Sequence, residues 1–147
     1  MGVVIRLGKI KYTKTHEWIM VTDGSNWIAT MGIAERVQSV HGDIVFIEKS
    51  EIGDEFEAEE IIGQVNVVSG ETIPIHMPVT GEVVEINKLI EENVDLINQS
   101  PEGDGWILRI AFESSIEFES LMDQDEYDMY QEDYEGDGDL ADEVYDE

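Results

Sequence analysis

The chain has 147 residues, of which 8 are basic and 35 acidic, giving a formal net charge of −27. It has no cysteine, which excludes disulfides, thiol catalysis and zinc–thiolate sites. No apolar stretch reaches the roughly 20 residues needed to span a bilayer, and so acidic a surface repels nucleic acid and anionic membranes.

The charge is unevenly spread. From Glu117 to Glu147 there are 15 acidic residues and no Lys or Arg; the first 116 residues carry 20 acidic and 8 basic. The body is acidic, and the C-terminal segment more than doubles the total. Such a segment is read as a solvated tail, or as one that captures a basic partner in a salt-sensitive way. The opening MGVVIRLGKIKYTK lacks the apolar core and cleavage site of a secretory signal. Arg6 stands where a myristoylation motif needs Ser or Thr. The expected location is the cytoplasm.

IKYTKTHEWIMV alternates apolar and polar residues and predicts one strand; TDGSN supplies turn chemistry, and WIATMGI completes a hairpin. AERVQSVHG places Ala34, Val37 and Val40 at helical spacing and stops at Gly42. DIVFIE is rich in β-branched residues and predicts a strand. A polar connection with a turn at Gly53-Asp54 follows. IIGQVNVV and TIPIHMPV predict a second hairpin around Ser69-Gly70-Glu71. Pro74 and Pro78 cannot donate ladder hydrogen bonds, so its second strand belongs at an edge or a bend.

TGEVVEINKLI predicts another strand. EENVDLINQSPEGDG predicts a loop with at most one helical turn, and WILRIAF a last strand. Ile116, Leu121 and Met122 predict one helix over about 115–130. Residues 134–147 are poor in core formers and predict disorder. GDIVFIEKSEIGDEFEAEE resembles GEVVEINKLIEENVDLINQ, so two similar β-units in tandem predict a pseudo-symmetric sandwich.

These segments also resemble a known family. Lys11–Trp18 (KYTKTHEW), Gly32–Glu48 (GIAERVQSVHGDIVFIE), Pro78–Asn87 (PVTGEVVEIN), Asn93–Ile110 (NVDLINQSPEGDGWILRI) and EFESLMDQDEYDMY are similar, in the same order, to motifs of glycine cleavage system H proteins. The resemblance implies a mainly β barrel-sandwich hybrid, the fold of lipoyl and biotinyl domains, with one helix in the N-terminal half and one near the C-terminus. It divides the chain into an extension (1–10), an H-protein-like domain (11–133) and an acidic tail (134–147). It also implies a non-enzymatic function. H proteins carry lipoate on a hairpin-tip lysine between glycine decarboxylase, an aminomethyltransferase and dihydrolipoyl dehydrogenase.

That lysine is the point of departure. Counting forward from Gly63 places it on Ser69, and counting back from Pro78 places it on Gly70, as if the hairpin held one extra residue. The family's preceding Glu-Ser pair is absent as well. Lipoate is held by an amide to a primary amine, and only lysine offers that amine on a long flexible stem. The chain's lysines are Lys9, Lys11, Lys14, Lys49 and Lys88. Of these, Lys88 is the least implausible substitute.

The favoured reading is therefore a non-lipoylated relative, with no cofactor, that binds glycine-cleavage or lipoate-handling enzymes. Asn66, Val68, Ser69, Gly70, Glu71 and His76 are its candidate binding surface. The alternatives are a lipoyl carrier modified at an atypical residue, and an interaction module whose tail binds a basic partner. A catalytic pairing of Ser69 with His76 is the poorer reading of an ordinary strand histidine. Asp133, Glu135 and Asp137, followed by Gly138, faintly resemble a calcium loop. The closing bidentate Glu is missing, because Val144 takes its place, so no metal site is expected.

Overall fold

A computed structural model describes residues 9–136. Strands β1 (Ile10–Tyr12), β2 (Glu17–Asp23) and β3 (Ile28–Ile33) precede helix α1 (Glu35–His41) and strands β4 (Ile44–Glu48) and β5 (Glu55–Phe56). Then come β6 (Ile61–Val67), β7 (Thr72–His76) and β8 (Gly81–Ile86), helices α2 (Lys88–Glu92) and α3 (Asp95–Gln99), strand β9 (Leu108–Phe112), and helices α4 (Ser115–Glu119) and α5 (Gln124–Gly136). One antiparallel sheet has the order β1-β2-β3-β9-β8-β5 and the other β4-β6-β7. Between them lies a core that includes Ile19, Val21, Met31, Val65, Ile75, Val83 and Ile110.

The mainly β, two-sheet expectation holds. β4 and β8, the leading strands of the internal repeat, lie in different sheets. The repeats then diverge: β5 follows the first, and α2 with α3 follows the second.

Three local expectations are corrected. The first predicted strand is two, folded at Thr13–His16. The Glu17 N–H donates to the Thr13 hydroxyl at 3.0 Å, and His16 takes a left-handed φ of 74°. The Thr-Lys-Thr-His turn kept an alternating, strand-like composition and so hid itself. The predicted loop over 91–105 contains the end of α2 and all of α3. Asn87 caps α2 by accepting the Leu89 N–H at 3.0 Å, and its own amide donates to the carbonyls of Asp104 and Trp106.

The predicted helix over 115–130 is also two. Tyr12 and Met122 exchange backbone hydrogen bonds of 2.8 and 3.0 Å, so the edge of β1 takes a residue the helix would have used. Asp123 then restarts the chain. Its carboxylate accepts the Glu126 N–H at 2.9 Å, while the Glu126 carboxylate accepts the Asp123 N–H at 2.9 Å. The helical backbone of α5 continues to Gly136, and the rest of the expected tail, residues 137–147, lies outside those described.

Tyr12, Trp18, Ala34 and Tyr127 form a second, smaller core that fastens α5 to the larger sheet. No helix among the described residues is long and apolar enough to cross a membrane.

Candidate functional site

The β6–β7 hairpin ends in a three-residue loop, Val68-Ser69-Gly70. The Gly70 N–H donates to the Val67 carbonyl at 2.8 Å, and the Val67 N–H to the Glu71 carbonyl at 3.0 Å. Gly70 has a φ of 98°, the left-handed conformation that closes a three-residue hairpin loop and that glycine adopts without a Cβ penalty. Nothing lies within 4 Å of where its Cβ would stand, so backbone conformation alone disfavours a side chain there.

The loop rests on the corner between α1 and β4. The Val68 N–H donates to the Asp43 carbonyl at 2.9 Å, and His41 Nδ1 lies 3.1 Å from a Glu71 carboxylate oxygen. Gly42, at φ 98°, leaves space that Val68 closes to 3.3 Å from an added Cβ. The tip is thus supported at three points. Of the loop's residues Val68 is apolar and 70 % exposed; Phe46, in β4, and Val40, in α1, are exposed as well. Phe46, Asn66 and Thr72 form one row across the three strands just below the loop, where the Asn66 amide donates to the Thr72 hydroxyl.

The structure brings Asn66, Val68, Ser69, Gly70 and Glu71 together at this tip. His76 is not among them. It lies at the other end of β7, roughly 16 Å along the strand. Its backbone N–H donates to Glu17 Oε2 at 2.8 Å, and its Nδ1 stands 3.3 Å from the same oxygen. A Ser69–His76 pair therefore does not form.

Glu17, unremarked in the sequence, is 2 % exposed. Its other oxygen accepts the hydroxyls of Thr13 and Thr15. Burial pushes its carboxyl above the usual glutamate range, and the threonine and His76 hydrogen bonds oppose that shift. Beside this pair opens a cavity of about 670 Å³, lined by Thr13, Thr15, Glu59, His76, Met77 and Leu121 among others. The two threonines just before a strand-starting acid were the only sequence signal of it.

Every described lysine lies off the tip. The Lys11 ammonium is buried and donates to the carbonyls of Glu119 and Leu121. Lys49 pairs with Glu91 at 3.0 Å, and Lys88 begins α2. Lys9 and Lys14 are exposed beside and just after β1. Asp133 and Glu135 fall within the helical backbone of α5, while Asp137 lies outside the described residues. No group of three or more metal-ligating side chains occurs among the described residues.

Two small facing sheets with a protruding, well-supported hairpin define the class: a barrel-sandwich hybrid domain built to present a loop. Residues 10–134 match the family model of the glycine cleavage H-protein, and the chain belongs to that family. It is 40% identical over 118 residues to the glycine cleavage system H protein of Vibrio campbellii, covering 80% of this chain and 91% of that protein. It is 40% identical over 129 residues to the H protein of Halothermothrix orenii, covering 86% and 95%. The H protein of Thermotoga maritima is 33% identical over 120 residues, covering 82% and 94%. The crystal structure of a glycine cleavage system H protein from Mycobacterium marinum superposes with a TM-score of 0.71 at 26% identity, covering 86% of this chain and 98% of that one.

Proposed function

We propose that this chain is an H-protein relative that works without a covalent lipoyl arm, as a non-catalytic binding or regulatory partner in glycine-cleavage or lipoate-linked metabolism. The observation that carries the reading is the tip itself: Val68-Ser69-Gly70-Glu71 offers a hydroxyl and a hydrogen where an arm needs an amine. A serine ester would hydrolyse more readily than an amide and would lack a lysine's reach. Supporting it further, the loop is held in place by His41, Gly42 and Asp43 and presents Val68 to solvent. A tip supported in this way, with Val68 exposed, suits contact with the enzymes that H proteins serve. Asn66, Val68, Ser69, Gly70 and Glu71 are the proposed contact residues.

Intact-mass measurement after co-expression with a lipoate ligase and added lipoate tests this. An unmodified mass is expected, and a stoichiometric lipoyl increment would sink the reading. Peptide mapping of protein from its native source separates the second reading, a carrier modified elsewhere. Lys88 is the residue to inspect, because it is exposed and makes no ion pair among the described residues.

A further inference from the structure

A groove that includes none of the hairpin-tip residues runs between the β4–β5 connection and the start of α2. It holds about 610 Å³ and is lined by Ile52, Ile86, Leu89 and Trp106. Ile52 is 63 % exposed and Leu89 53 %, so this apolar surface is not consumed by the core.

Its charges are arranged unlike those of the rest of the chain. Lys88 is on its lining, while Lys49 and Arg109 adjoin it through contacts with lining residues. The two carboxylates on its wall are each matched in contact: Glu85 with Arg109 at 2.8 Å and Glu91 with Lys49 at 3.0 Å. The Arg109 guanidinium also lies 4.1 Å over the Trp106 ring, fixing that wall. Lys88, on the lining, makes no ion pair among the described residues. With the lining carboxylates Glu85 and Glu91 each paired, Lys88 is the lining ammonium without an ion pair that a ligand in the groove meets. Glu51 and Glu92 flank the groove in sequence without lining it.

We infer that this groove binds an acyl carboxylate: its hydrocarbon chain against Ile52, Leu89 and Trp106, its carboxylate on the Lys88 ammonium. An apolar wall of Ile52, Ile86, Leu89 and Trp106 with a few polar groups beside it is the usual makeup of a small-molecule site, and Lys88, the lining group without an ion pair, selects an anion. The site is independent of the hairpin reading, since nothing in it touches the loop.

The test titrates the ¹⁵N-labelled full chain with octanoate, 1-octanol and octylamine, which share a tail and differ in head-group charge. Octanoate is expected to shift the Ile52 and Leu89 amides and the Trp106 indole N–H saturably, at least about 5-fold more tightly than either of the others. Lys88→Ala should bring octanoate down to the affinity of octanol, and Leu89→Asp should weaken both. Both substituted side chains are exposed, so the fold should survive, as unchanged shifts in the core would show. The inference is overturned by non-saturable shifts, by octylamine binding as tightly as octanoate, or by octanoate binding unchanged in Lys88→Ala.

Discussion

Glu17 and His76 join the two sheets: a buried carboxylate at the start of β2 accepts the backbone N–H of the last residue of β7 at 2.8 Å, with the imidazole of that residue folded over the same oxygen. β2 belongs to the six-stranded sheet and β7 is an edge of the three-stranded one. The contact therefore also covers an edge N–H that would otherwise be open to another strand.

Burial raises the Glu17 carboxyl above its ordinary value. The folded state then holds this proton more tightly than the unfolded chain does. The resulting stability is full below the ordinary glutamate pKa and is lost as pH rises through the raised one. Glu17→Gln removes that dependence. Urea unfolding of both proteins between pH 4 and 8 should show the wild type losing stability relative to the variant as pH rises. A constant difference across the range would contradict it.

His16 works in the opposite sense. Burial, with Arg36 and His41 adding to it, holds its imidazole below the ordinary histidine value. Its Nδ1 lies 2.7 Å from the Tyr127 hydroxyl. Stability from the neutral ring is present above the ordinary pKa and is lost as pH falls through the lowered one. Titration of the His16 ring by NMR should give a midpoint below that of an exposed histidine, and Tyr127→Phe should move it.

Tyr127 is also the clamp on α5, stacked on Tyr12 with centroids 4.3 Å apart. Tyr127→Phe keeps the stack and drops the hydrogen bond, a loss of about 1 kcal/mol. Tyr127→Ala empties the small core and should cost about 3 kcal/mol or more. Denaturant midpoints of the two variants separate the contributions.

The capping pair is tested more simply. Asp123→Ala leaves the first turn of α5 without its acceptor and should cost about 1 kcal/mol, read by thermal unfolding.

The loop makes a prediction about regained chemistry. Ser69→Lys places an amine at the exposed apex without asking for a left-handed backbone, and it should accept lipoate from a ligase, seen as a mass increment. Gly70→Lys puts a side chain at φ 98° and should lower stability by roughly 1–2 kcal/mol. Equal stability of the two variants would show that the loop adopts another turn.

Several of these features were legible in the chain. The α1 stop at Gly42, the β6–β7 hairpin and the edge placement of Pro74 follow from local chemistry, because one residue's allowed backbone decides each. The Asp123-x-x-Glu126 capping box is equally readable, and it marks a new helix start inside the stretch whose apolar spacing predicts one helix. The turn at Thr13–His16 was not readable by composition, since threonine suits a strand as well as it suits a hydrogen-bonded turn.

By itself the sequence determined the absence of cysteine, the acidic excess, the two-sheet class and a hairpin without a lysine, all of them properties of residue identity and short-range pattern. Only the tertiary structure decided that His76 leaves the tip to meet Glu17, that Met122 breaks a helix to pair with Tyr12, and that Lys88 lines a groove with Ile52 and Trp106. Each depends on which distant groups arrive within hydrogen-bond or ion-pair reach, and no local propensity encodes that.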